Sequence, residues 1–168
     1  MERKKKVAFV CSRNAGRSQM AEGFLRALYG ESYEAASAGL RPFRLSRTAT
    51  RVMGEAGVDI SGHRSKSVGE LAGTRFDLVV TLCDEAGCAP PHLLPVGDRY
   101  LHKGFPDPAA SPGSDEEVLA TYRDVRDRIR AWIGEEFRPD PTTGHGPDAP
   151  LAGPGSPKDV KGETAKDE

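Results

Sequence analysis

Apolar positions along the chain fall into two alternating patterns. Short continuous runs, Lys6 to Val10 (KVAFV) and Phe76 to Leu82 (FDLVVTL), are bounded by charge and have the length and β-branched content of strands buried on both faces. Between and after them lie longer segments with a 3.6-residue period. Ser18 to Tyr29 places Met20, Ala21, Phe24, Leu25 and Leu28 on one face, Ser46 to Glu55 repeats the pattern, and Ser114 to Phe137 aligns Val118, Leu119, Tyr122, Val125, Ile129, Trp132 and Ile133 in a stripe. The last of these opens with a capping box, Ser114 followed three residues on by Glu117. Weaker strand signals fall at Tyr33 to Ala36 and Arg99 to His102, and Ser37-Ala38-Gly39 reads as a turn. Strands alternating with helices predict an α/β fold, an open three-layer sandwich around about four parallel strands.

Composition changes this picture at one end. From Pro139 onward the chain is rich in Gly and Pro and has no aromatic residue, which predicts a disordered tail over 139–168 behind a folded body of 1–138. The tail carries six acidic and three basic side chains, so the body holds a net charge of +2 although the whole 168-residue chain is at −1. A near-neutral balance gives no reason to expect nucleic acid as a partner, and four basic residues in the opening MERKKK read as a solvated start. The apolar runs are too short to cross a bilayer or to form a signal-peptide core, so no membrane partner is expected and the reading is cytoplasmic and monomeric. Three cysteines are too few for a secreted disulfide framework, and in a reducing compartment thiols are kept for chemistry.

The chemistry concentrates after the first strand, in Cys11-Ser12-Arg13-Asn14-Ala15-Gly16-Arg17-Ser18. A strand that turns tightly into a helix aims successive backbone N–H groups at one point, with the positive end of the helix dipole behind them, and a tetrahedral oxyanion fits there. Arg17, in the first helical turn, can close such a cradle by pairing with two anion oxygens. Cys11 sits at its floor, where a helix N-terminus and a guanidinium favour the nucleophilic thiolate. Ser18 is placed to donate to the sulfur, and Asn14 and Gly16 suit the unusual backbone angles of a closed loop.

The segment CSRNAGRSQMAEG resembles the active-site loop of low-molecular-weight protein tyrosine phosphatases and of the arsenate reductases that share their fold, and the resemblance spans residues 6–137. It implies a phosphatase-like sandwich, with Asp107 in Phe105-Pro106-Asp107-Pro108 as the general acid. The stretch VVTLCDEAGCAPPH, ending in GFPDPA, resembles the thioredoxin-coupled type of arsenate reductase, in which three cysteines act in sequence. That resemblance implies arsenate as substrate, Cys11 as nucleophile, Cys83 and Cys88 as relay thiols, a final Cys83–Cys88 disulfide, and a thioredoxin as partner, with a glutaredoxin-type reductant as the other option. The four residues between Cys83 and Cys88 are fewer than is usual there. A phosphatase on this frame needs only Cys11, Arg17 and an acid, and hydrolysis of a phosphate ester is the alternative. A third option is an oxyanion-binding or redox-sensing module without turnover. Phosphatases typically follow the Asp-Pro pair with aromatic residues, whereas Ala109 and Ala110 stand here, which suits a small inorganic anion unless Phe43 supplies a ring from elsewhere.

No organic cofactor fingerprint is present. The potassium site of some relatives would map onto Asn14, Glu22 and Ser37, but its aspartate position holds Lys66, whose ammonium takes the cation's place in this reading, so no metal is expected. Cys83, Cys88, His92 and His102 lack the spacing of a zinc site. His63 and His145 read as surface residues and Trp132 as core.

Overall fold

The computed structural model describes residues 3–83 and 90–140. Most of the predicted tail, and Cys88, lie outside the described residues. Strands β1 (Lys5–Cys11), β2 (Tyr33–Gly39), β3 (Arg75–Cys83) and β4 (Val96–Phe105) form one parallel sheet in the order β2-β1-β3-β4. Helices α1 (Arg17–Tyr29), α2 (Arg47–Glu55) and α3 (Asp115–Glu136) connect and cover it.

The central strands are apolar because both of their faces are covered. Val7, Ala8, Phe9 and Val10 are all fully buried. Val7, Phe9, Leu78, Val80 and Leu82 pack with Met20, Phe24, Leu25, Val125, Ile129 and Ile133 on the helical side. Ala8, Val10, Phe76 and Val79 face a thin third layer built around Leu71 and the 3-10 turn Val68–Leu71. Each fully buried side chain of this size contributes about 1.5–3 kcal/mol. The predicted capping box of α3 is present: Ser114 Oγ accepts from the Glu117 amide at 3.2 Å, and Glu117 Oε1 accepts from the Ser114 amide at 2.8 Å. Trp132 belongs to an aromatic cluster with Phe9, Phe105 and Phe137.

Two elements differ from the sequence reading. Ser37-Ala38-Gly39 is not a turn but the end of β2, pairing in register with Phe9, Val10 and Cys11. Its small residues weaken the strand signal because the chain runs tight against the loop after β1. The edge strand β4 is longer than Arg99 to His102; its glycines and a register shift between Thr81 and Cys83 hide the alternation.

This strand order places the functional groups. From β1 the chain steps to β2 on one side, then returns past β1 to β3 on the other, so the crevice of the sheet opens at the carboxyl ends of β1 and β3. Cys11 ends β1 and Cys83 ends β3.

Candidate active site

The loop from Cys11 to Arg17 is held from outside by its carbonyls. Those of Cys11, Ser12, Arg13 and Ala15 accept from the amides of Leu40, Arg41, Phe43 and Ser46, that of Gly16 accepts from Met20, and that of Asn14 accepts from Gln19 Nε2. The loop's peptide bonds are trans, so an amide points opposite the carbonyl before it, and the loop's N–H groups face inward. Gly16 at the N-cap of α1 brings no side chain to its first turn, which leaves those amides for an anion.

Cys11 is 2% exposed, and its Sγ lies 2.9 Å from Ser18 Oγ. Asn14 is fully buried and is, among the described residues, the only non-glycine residue with positive φ, at 54°. Its Nδ2 donates to Ser18 Oγ at 2.8 Å and to Ser37 Oγ at 3.0 Å. Its Oδ1 accepts from Gln19 Nε2 at 2.9 Å and from the Lys66 amide at 2.8 Å. These four bonds complete the capacity of a primary amide and hold the left-handed turn in place. Gly16 has φ −130° and ψ −80°, neither helical nor extended.

Arg17 is 4% exposed. Its Nη1 donates to the Phe105 carbonyl at 3.0 Å, and Nη2 stands 3.7 Å from Asp107 Oδ2. Asp107 divides its oxygens between two tasks: Oδ1 accepts from the Ala109 amide at 3.0 Å and caps a short turn, while Oδ2 faces Arg17. Arg17 and Asp107 meet Cys11 in a cleft of about 460 Å³. Phe43 and Tyr122 line it, so the aromatic wall missing after Asp107 is supplied by two other segments. Tyr122 was not legible as a wall, since its position falls on the apolar stripe of α3. Arg13, Arg44 and Arg47 stand around the same opening.

Cys83 lies behind the loop rather than in the cleft. It is 1% exposed, and the Ser12 hydroxyl points at its Sγ from 3.9 Å. The structure therefore brings Cys11, Ser12, Asn14, Gly16, Arg17, Ser18, Cys83 and Asp107 to one end of the sheet. Arg13 and Ala15 line the cleft, and the Cys88 expectation falls outside the described residues.

Two expectations about the surroundings of Asn14 are corrected. The Lys66 ammonium does not enter the Asn14–Glu22–Ser37 cluster; its Nζ donates to the Arg64 carbonyl at 3.4 Å. The cation beside Glu22 is Arg26, with Nη2 2.6 Å from Glu22 Oε2. The other Glu22 oxygen accepts from Ser37 Oγ at 2.5 Å. With both Glu22 oxygens, Asn14 Oδ1 and Ser37 Oγ committed to protein donors, these residues do not fit a potassium ion. His63 is also no free surface residue. Its Nδ1 lies 2.9 Å from Gln19 Oε1 and its Nε2 3.2 Å from Arg26 Nη1. Burial pushes its pKa below the ordinary 6.5, which matches a neutral ring donating to Gln19 and accepting from Arg26. Gln19 and Arg26 share a face of α1, but His63 is too distant from both in sequence for spacing to have joined it to them.

A family model described as low molecular weight phosphotyrosine protein phosphatase matches residues 6–136. An arsenate reductase from Halalkalibacterium halodurans is 40% identical over 126 residues, covering 75% of this chain and 90% of that protein. Among solved structures, an arsenate reductase in the phosphate binding state has a TM-score of 0.62 at 32% identity, covering 77% of this chain and 93% of that one. A thioredoxin-dependent arsenate reductase from Corynebacterium glutamicum has a TM-score of 0.53 at 26% identity, covering 76% of this chain and 59% of that one.

Proposed function

Because the chain belongs to the low molecular weight phosphotyrosine protein phosphatase family, we propose that its cleft reduces arsenate to arsenite through successive action of Cys11, Cys83 and Cys88, with a thioredoxin-type dithiol as the external reductant. One observation carries this reading: a second sulfur, Cys83, ends the strand beside that of Cys11 and lies buried against the oxyanion loop. Hydrolysis needs no second sulfur for its bond-breaking step. Reduction must draw two electrons from somewhere, and Cys83, disulfide-bonded in this structure, supplies them once it is reduced. The arsenate reductases among the relatives support the substrate, and the thioredoxin-dependent one supports the reductant.

In this scheme the inward amides and Arg17 hold arsenate while Cys11 Sγ attacks arsenic. An As–O bond breaks, and the oxygen leaves as water with a proton from Asp107. Cys83 then attacks Cys11 Sγ. The S–As bond breaks with its electron pair left on arsenic, which falls from As(V) to As(III) and departs as arsenite, and a Cys11–Cys83 disulfide forms. Cys88 attacks Cys83, freeing the Cys11 thiolate and leaving a Cys83–Cys88 disulfide for the external dithiol to reduce. The aromatic walls of the 460 Å³ cleft favour a second activity of the same Cys11, Arg17 and Asp107, hydrolysis of aryl phosphates.

The test is arsenite formation by the purified chain with thioredoxin, thioredoxin reductase and NADPH, run beside a glutaredoxin system. Cys83→Ser is expected to abolish multiple-turnover reduction while aryl-phosphate hydrolysis stays within about threefold of the parent. Equal loss of both activities would overturn the relay.

A further inference from the structure

We propose that Arg26 is a positioning residue, a built-in counter-cation that fixes the polarity of a hydrogen-bond chain reaching Cys11 and makes the oxyanion loop independent of monovalent metal ions. The chain runs Arg26, Glu22, Ser37, Asn14, Ser18, Cys11, with separations of 2.6, 2.5, 3.0, 2.8 and 2.9 Å.

Its direction follows from the capacity of each group. Asn14 Oδ1 already accepts two bonds, so the Nδ2 group must face both serines as a donor. Each serine hydroxyl therefore accepts from Asn14 and has one proton left to give. Ser37 gives its proton to Glu22, and Ser18 gives its proton to Cys11 Sγ. The first bond requires Glu22 to be an acceptor. Glu22 is 6% exposed, and a carboxylate removed from water needs a counter-charge. Arg26, one helical turn along α1, provides it from a half-exposed position and also donates to the Ala35 carbonyl at 3.0 Å. His63 accepts from its other nitrogen.

Removing the guanidinium leaves the buried Glu22 carboxylate without a counter-charge unless a cation enters from solution, and the acceptor of the Ser37 proton is no longer held in place. The cost falls on the fully buried Asn14 with its φ of 54°, and hence on the proton that Ser18 aims at Cys11.

The inference concerns the loop and not its substrate, so the experiment reads Cys11 directly. Reduced protein is treated briefly with iodoacetamide in potassium chloride or in choline chloride at equal ionic strength, and the Cys11 peptide is quantified by mass spectrometry. The parent protein is expected to alkylate at the same rate in both salts. Arg26→Ala should slow by about tenfold in choline chloride, the loss expected for one charge-assisted hydrogen bond, and recover in potassium chloride. Arg26→Lys should resemble the parent. Ser37→Ala cuts the chain in its middle, so adding Arg26→Ala to it should slow Cys11 no further. Parental reactivity that depends on potassium, an Arg26→Ala protein that alkylates like the parent in choline chloride, or additive losses in the double variant would each overturn the proposal.

Discussion

Gly39 shows how much a single atom decides at this site. A Cβ there would lie 2.7 Å from Asn14 N, 2.8 Å from the Arg13 carbonyl carbon and 2.8 Å from Ser12 O, all of them backbone atoms of the oxyanion loop. No flexible side-chain end is available to yield, so Gly39→Ala must push the loop itself. Overpacking of this kind costs about 1–3 kcal/mol, equivalent to roughly fivefold to 150-fold in an equilibrium constant. Phosphate inhibition of aryl-phosphate hydrolysis should weaken by that factor, and an unchanged inhibition constant would show that the loop backbone does not set anion affinity. The nucleophile and its loop were legible in the sequence because Cys11, Asn14, Arg17 and Ser18 are contiguous and their geometry is local. Gly39 was misread as part of a turn and His63 as a surface residue, because only the packed fold brings them against the loop and Gln19.

At the scale of elements, the walls of the cleft depend on how α2 meets α3. Ser46, the N-cap of α2, and Tyr122 of α3 both line it, and their hydroxyls are 3.4 Å apart. At the other end of α2, Glu55 receives Arg123 Nε at 2.9 Å and Arg126 Nη1 at 3.1 Å. The Arg123 hydrogen bond, followed by the pull of the Arg123 charge and the Arg126 bond, lowers Glu55 from 4.5 to about 2. A carboxylate with a depressed folded value stabilises above its unfolded value and loses that contribution as pH falls through the folded one. Glu55→Gln should therefore lower Tm above pH 4.5 and converge on the parent as pH approaches 2, and a Tm difference that is flat over this window would remove Glu55 from the α2–α3 contact. The effect is small because the pair is exposed to solvent. Strands β1 and β3 and helix α3 were legible because their burial imposes an apolar run or a 3.6-residue stripe. The thin layer around Leu71 was not, since four residues of 3-10 turn are too short to show a period.

For the whole molecule, the strand order explains why one edge of the sheet carries the chemistry. Reversal of the order in which strands are added on either side of β1 opens the crevice between β1 and β3 into which Cys11 and Cys83 are delivered, and the helices stabilise that arrangement from one side. The last support on that side is Phe137, fully buried directly after α3, with its ring 6.0 Å from Phe9, 5.2 Å from Tyr33 and 5.6 Å from Trp132. Phe9 sits in β1 two residues before Cys11, so the end of α3 braces the strand that presents the nucleophile. A body of 1–138 contains this brace and all the proposed catalytic groups. Ending the chain after Arg138 is therefore expected to leave Tm and the kcat/KM for aryl-phosphate hydrolysis unchanged. Ending it after Glu136 removes the Phe137 ring and should cost about 3–5 kcal/mol, as deletion of a buried phenyl ring does. Thermal unfolding of the two truncations beside the full chain decides the boundary: equal losses in both would place stabilising contacts beyond Arg138, and no loss in either would show that the aromatic cluster does not need its Phe137 edge.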